Sequence, residues 1–115
     1  MTSQIIDSVI YDTEAATLVL KVPGLAYSRQ CRFDKPSNIF FPGEIERADS
    51  EMYVGANGEW FIVQYLVKRR QGLFKRREHV AGIEAITPDV ALQLLHQANA
   101  IDAAKQWFPS EARNA

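Results

Sequence analysis

Residues 59–80 read Glu-Trp-Phe-Ile-Val-Gln-Tyr-Leu-Val-Lys-Arg-Arg-Gln-Gly-Leu-Phe-Lys-Arg-Arg-Glu-His-Val. This stretch decides the fold. Trp60 to Val67 is dominated by β-branched and aromatic residues, which favour a pleated strand. Alternation sends Trp60, Ile62 and Leu66 to one face and Phe61, Val63, Tyr65 and Val67 to the other. Both faces are apolar, which predicts a central strand covered on both sides. Gln71-Gly72 predicts a tight turn, because glycine adopts positive φ at little steric cost. Leu73 to Val80 then return antiparallel.

The composition changes sharply at that turn. Lys68, Arg69, Arg70, Lys75, Arg76 and Arg77 are six of the 13 lysines and arginines. The expected hairpin sets Lys68 opposite Lys75 or Arg76, and like charges directly opposite are unfavourable. Two readings follow. The cluster is a solvated tip whose charge protects a sheet edge, or it is a basic finger aimed at phosphates or at an acidic protein face.

Outside the cluster, 7 cations stand against 14 acids, so the rest of the chain carries −7 while the whole carries −1. Glu44, Glu46, Asp49, Glu51 and Glu59 against Arg47 put −4 of that into one stretch. Such a balance excludes a uniformly basic nucleic-acid coat but permits a local patch. The acidic stretch is also a candidate internal partner for the finger. The 115 residues, 47% of them hydrophobic and 23% charged, suit one soluble domain. We expect that domain over residues 1–109, with 110–115 a frayed tail. Cys31 is the single cysteine, so no intramolecular disulfide forms. The N-terminus lacks a secretory pattern, and no apolar run approaches the roughly 18 residues of a membrane span. These features predict a cytoplasmic protein without membrane contact.

Around the hairpin the chain reads as strands and then helices. Gln4 to Tyr11 is expected to be a strand, closed by a turn that Asp12 holds through the backbone two residues on. Thr17 to Val22 should place Leu18, Leu20 and Val22 on one face, ending at Pro23-Gly24. Leu25 to Phe33 is expected as a third strand. Asp34 to Gly43 is expected as a loop in which Ile39, Phe40 and Phe41 either cover the sheet or form a second contact surface. Glu51 to Val54 reads as a short strand, turned by Gly55-Ala56-Asn57-Gly58. After Val80 the period changes to that of helices. Thr87-Pro88-Asp89 supplies a cap, a first-position proline and an acid at the positive helix end. Val90, Ala91, Leu94, Leu95 and Ala98 form the expected buried stripe, and Asn99 the left-handed stop. Asp102 should cap a second short helix that turns Ala103, Ala104, Trp107 and Phe108 inward. Strands first and helices last predict an α+β fold: an antiparallel sheet of about five or six strands with two short C-terminal helices on one face.

Tyr11-Asp12-Thr13-Glu14-Ala15-Ala16 resembles the "YDTETA" opening of a group of small bacterial proteins found on plasmids, prophages and conjugative elements. Met52-Tyr53 with Gly58-Glu59-Trp60-Phe61 is similar to the middle of that group. Ile86-Thr87-Pro88-Asp89, Ala91 and Trp107-Phe108 are similar to its C-terminal part. The chain departs from the group at Lys68 to Arg77, where the others carry a Gly-rich polar loop. The resemblance implies a mobile-element setting; the group has no established activity to carry over.

No catalytic constellation is visible. His79 and His96 with Cys31 do not make a closed zinc site without carboxylates, and Cys31 lies in an expected strand with no activating neighbour. Glycine-rich phosphate-binding patterns are absent. Glu44, Glu46, Asp49 and Glu51 lack the spacing and central glycine of a Ca²⁺ loop. The sequence thus predicts a non-enzymatic protein without cofactor or metal. It is expected to bind an acidic protein surface as a modulator or inhibitor, or alternatively nucleic acid, through Lys68, Arg69, Arg70, Lys75, Arg76 and Arg77.

Overall fold

Two residues, Phe61 and Ile62, are consecutive, and both are sealed from solvent, at 1% and 0% exposure. Neighbours in a strand point to opposite faces, so this segment has apolar layers on both sides, as its sequence predicts. The computed structural model describes residues 3–6, 9–28, 30–35, 45–68 and 78–111. In chain order the elements are β1 (Ser3–Ile6), β2 (Val9–Asp12), β3 (Ala16–Val22), β4 (Ala26–Ser28), β5 (Arg32–Asp34), β6 (Ile45–Gly55), β7 (Trp60–Lys68), β8 (Glu78–Ile86), α1 (Pro88–Gln97) and α2 (Ile101–Trp107). The fold is α+β. Its main sheet has four antiparallel strands in the order β3-β6-β7-β8, and β1-β2 and β4-β5 form separate two-stranded hairpins.

One face of the sheet carries Val22, Met52, Val54, Trp60 and Ile62. It packs on Ala91, Leu94, Leu95 and Ala104 of the two helices and on Phe33 of β5. Trp60 anchors this layer, meeting Trp107 edge-on at 5.9 Å and stacking on Phe108 at 5.3 Å. The opposite face carries Tyr53, Phe61, Val63 and Ile83, covered by Tyr11, Ile6 and Val9 of the β1-β2 hairpin. Phe61 stacks on Tyr53 and meets Tyr11 edge-on, each at 5.3 Å. The molecule is therefore layered helices, sheet, hairpin.

Several expectations are corrected. Gln4 to Tyr11 is not one strand: it folds back between Ile6 and Val9, which pair directly, and Asp7-Ser8 between them are turn-forming residue types. Leu25 to Phe33 is likewise a hairpin. Cys31 N donates to Ser28 O, and Cys31 takes φ 58°, so it stands in a turn and not in a strand. Asp34 ends β5 instead of opening a loop. The short strand expected at Glu51 to Val54 is the middle of an 11-residue strand, β6. Its charges hid its length. Leu18, Leu20 and Val22 do not share a face. The ladder slips between Leu18 and Leu20, leaving Leu18 opposite Tyr53 and Leu20 opposite Met52. A one-residue bulge of this kind re-aims the side chains beyond it, and Leu18 is 41% exposed. The return strand does not stop at Val80 but runs to Ile86.

The turns and caps follow local chemistry. Glu14 N donates to Asp12 Oδ1 at 3.0 Å, as expected of that turn. Gly58 N donates to Gly55 O, and Gly58 takes φ 81°, the positive-φ position that a three-residue hairpin loop requires. Thr87 caps α1, accepting from Val90 N at 3.2 Å, with Pro88 opening the helix. At its other end Asn99 takes φ 54°, Asn99 N reaches His96 O, and Ala100 N reaches Leu95 O. These two bonds make the six-residue left-handed stop. Ala91, Leu94 and Leu95 are buried and Val90 is half-buried, but Ala98 is exposed. Asp102 does not cap α2; Ala100 holds the cap position and Asp102 lies in the first turn, where its charge still suits the positive helix end.

Candidate functional site

Of the expected binding cluster only Lys68 falls among the described residues, at the end of the sheet where β7 finishes. Rungs there pair Arg47 with Val67, Ile45 with Lys68, and Val67 with Glu78. Lys68 is the last residue of β7. Arg69, Arg70, Lys75, Arg76 and Arg77 lie outside the described residues, as do Ile39, Phe40 and Phe41 of the second expected surface. The register itself is corrected. Val67 against Glu78 is at least one residue out of step with a hairpin that sets Lys68 against Lys75 or Arg76.

Two acids that the sequence offered as internal partners for the cluster are engaged elsewhere. Asp49 Oδ1 accepts from Arg47 Nε at 2.9 Å and from Gly24 N at 2.8 Å. Ser50 Oγ donates to Leu25 O at 2.9 Å, so adjacent residues of β6 pin the β3-β4 connection. Glu51 accepts from Tyr53 Oη at 2.8 Å and lies 3.9 Å from Lys21 Nζ. Lys21 is 69% exposed, and an ion pair that open to solvent contributes little. The Tyr53 contact is the stronger constraint. Burial, then the hydrogen bond and charge of Glu51, with Tyr65 alongside, push the Tyr53 hydroxyl well above its ordinary pKa.

The opposite end of the sheet holds a surface that the sequence reading missed. A groove of about 270 Å³ opens between β2, the start of β3 and the Gly55–Glu59 turn. Tyr11, Ala15, Ala16, Ala56 and Phe61 line it, and Asp12 and Glu59 stand among the lining residues as its acids. On the outer face of the adjoining hairpin Ile5 pairs with Ile10, and each is 69% exposed. The signal was present in Ile-Ile-Asp-Ser-Val-Ile. Reading the turn types Asp7-Ser8 as a turn would have split the strand and left one isoleucine of each arm pointing outward.

Cys31 sits against the Tyr27 hydroxyl at the rim of the helix-side core. Burial, then that contact, with Glu84 adding to it, raise the Tyr27 pKa. Among the described residues, no group of three His, Cys, Asp or Glu side chains could hold a metal ion, and no helix is long and apolar enough to cross a membrane. Comparison with protein-family models, curated proteins and solved structures gives no match to the chain.

Proposed function

We propose that this is a non-enzymatic binding protein, an accessory factor of a mobile genetic element, that modulates a partner protein by gripping an acidic face of it. The gripping residues are Lys68, Arg69, Arg70, Lys75, Arg76 and Arg77. One observation carries the reading: β7 and β8 stay paired up to Val67 and Glu78. Five of the six cations follow Lys68 in the nine residues of sequence between these two strands. Concentrated charge of this kind speeds encounter and sets specificity without chemistry. The engagement of Asp49 by Arg47 and of Glu51 by Tyr53 supports it. The −7 carried by the rest of the chain favours a compact acidic target over a nucleic acid, whose continuous phosphates would meet the acidic body as well.

Affinity capture from the native host, with and without nuclease, tests this. Wild type should retain a nuclease-resistant protein, and Arg70→Glu/Arg76→Glu should lose it, mainly through slower association that salt also depresses. Loss of the partner on nuclease treatment, with log affinity falling by about 0.9 per phosphate per decade of salt, would replace the protein target with nucleic acid. Full retention by the charge-reversed variant would remove the basic segment from the interface.

A further inference from the structure

The groove at the Gly55–Glu59 end and the basic segment beyond Lys68 occupy opposite poles of one strand. Glu59 and Lys68 are nine residues apart along extended chain, about 30 Å at the rise of a strand. Residues 69–77 are tethered at Lys68 and Glu78, so their midpoint reaches about 17 Å at most from either anchor. The segment's contour falls short of the length of β7 between Lys68 and the Gly55–Glu59 turn.

Its chemistry nevertheless fits that groove. The sequence Arg-Arg-Gln-Gly-Leu-Phe-Lys-Arg-Arg over 69–77 sets two large apolar residues, Leu73 and Phe74, between cations. The groove has buried Tyr11 and Phe61 at its floor and Ala15, Ala16 and Ala56 around them, with Asp12 and Glu59 as its acids and no cation among its lining residues. Glu14, exposed, is held beside Asp12 by its own N–H. Ile10 lines the groove and, with Ile5, continues its apolar surface outward. At about 270 Å³ the groove lies below the usual range of small-molecule pockets, roughly 300–1,000 Å³, and suits one or two side chains.

We infer that the groove takes the 69–77 segment of a second copy of this chain, with Leu73 and Phe74 on its floor and the flanking cations against Asp12, Glu14 and Glu59. The contact is head-to-tail. Each copy keeps a free groove at one pole and a free basic segment at the other, so the assembly grows past a dimer or closes as a ring. The inference is independent of the proposed foreign partner, though a segment seated in a groove is withheld from any other ligand.

Sedimentation velocity from micromolar to near-millimolar protein tests it, on three chains. In the first variant Ala15→Arg/Glu59→Arg turns the rim basic at two exposed positions. The second is Leu73→Asp/Phe74→Asp, and circular dichroism melting confirms that both fold. If the double aspartate chain does not fold, Phe74→Ser takes its place. Wild type should associate progressively with concentration, and each variant alone should be weakened about tenfold or more, as for loss of a central anchor. An equimolar mixture of the variants should form a discrete 1:1 complex and nothing larger, because only one intact groove and one intact segment meet. A wild type that stays monomeric throughout overturns the inference. So does a variant that assembles like wild type, a discrete dimer insensitive to both changes, or a mixture that shows no complex.

Discussion

The side-chain amide of Gln97 completes two hydrogen bonds with Phe33, across 64 residues of sequence. Phe33 N donates to Gln97 Oε1 at 2.8 Å, and Gln97 Nε2 donates to Phe33 O at 2.7 Å. The amide behaves as one rung of a strand would, and it ties the end of α1 to β5. Phe33 is 3% exposed, while Gln97 is exposed and the two bonds are half-buried. Gln97→Ala should cost about 1–3 kcal/mol, at about 0.5–1.5 for each of the two hydrogen bonds lost. Gln97→Glu separates the two bonds. Its carboxylate accepts from Phe33 N but opposes Phe33 O, which raises its folded pKa. The stability of that variant is then highest below the ordinary glutamate pKa of about 4.3 and falls as pH rises through the folded value. Urea melts of wild type and variant between acid and neutral pH check this; a constant gap would mean the second bond contributes nothing.

Ile62→Asp and Val63→Asp should each remove most of the folding free energy. One buries a charge against the helices and the other against the β1-β2 hairpin, from positions that are both at 0% exposure. An unpaired buried charge costs several kcal/mol, against about 5–15 for a whole domain. If either chain remains soluble with a wild-type melting curve, the layer on that side does not seal the strand.

Cys31 sustains φ 58° without being glycine. The left-handed region costs an ordinary residue about 1–2 kcal/mol. Cys31→Gly should therefore be neutral or stabilising in spite of losing the Tyr27 contact, while Cys31→Val, branched at Cβ, should lower the melting temperature. Equal melting of the two variants would show that the turn relaxes when its side chain changes.

Stability should decline at alkaline pH, and Tyr53 should account for part of the slope. Its folded pKa is raised by burial and by Glu51, so the neutral hydroxyl is the favoured form. That contribution is complete below the unfolded value of about 10 and is lost as pH rises toward the folded one. Tyr53→Phe should be less stable at neutral pH, by about 1 kcal/mol for the lost hydrogen bond, yet lose less between pH 9 and 11. Tyr27, shifted the same way, keeps a residual slope in that variant. Parallel pH profiles for wild type and variant would contradict the assignment.

The parts of this fold that were legible in the sequence are those fixed by near neighbours. Trp60 to Val67 announces itself because both of its faces are apolar, and Thr87-Pro88-Asp89 because capping is chemistry within three residues. What escaped depends on distant contacts or on unmarked turns. Asp49 and Glu51 make β6 look like loop, since their charges are satisfied by Arg47, Gly24, Tyr53 and Lys21 only once the strands have paired. The β4-β5 turn carries cysteine where glycine would have marked it. The slip between Leu18 and Leu20 is set by the partner strand and leaves no trace in Thr-Leu-Val-Leu. The same holds for the candidate sites: the basic cluster is contiguous and visible, whereas the groove is assembled from β2, β3 and a turn about forty residues away.

The separation of β3 from its sheet neighbour β6 bears on the order in which the chain folds. Residues 23–44 intervene between them, whereas β6 and β7 meet across the Gly55–Glu59 turn alone. Closing the longer loop costs more entropy before any contact repays it. The β6-β7-β8 meander is thus the expected nucleus, with β3 arriving after the barrier. Truncating Phe61 should slow refolding, whereas truncating Leu20 should chiefly quicken unfolding. A chain stopped after β3 during synthesis has no docking strand yet made, so its sheet begins to form only as β7 emerges.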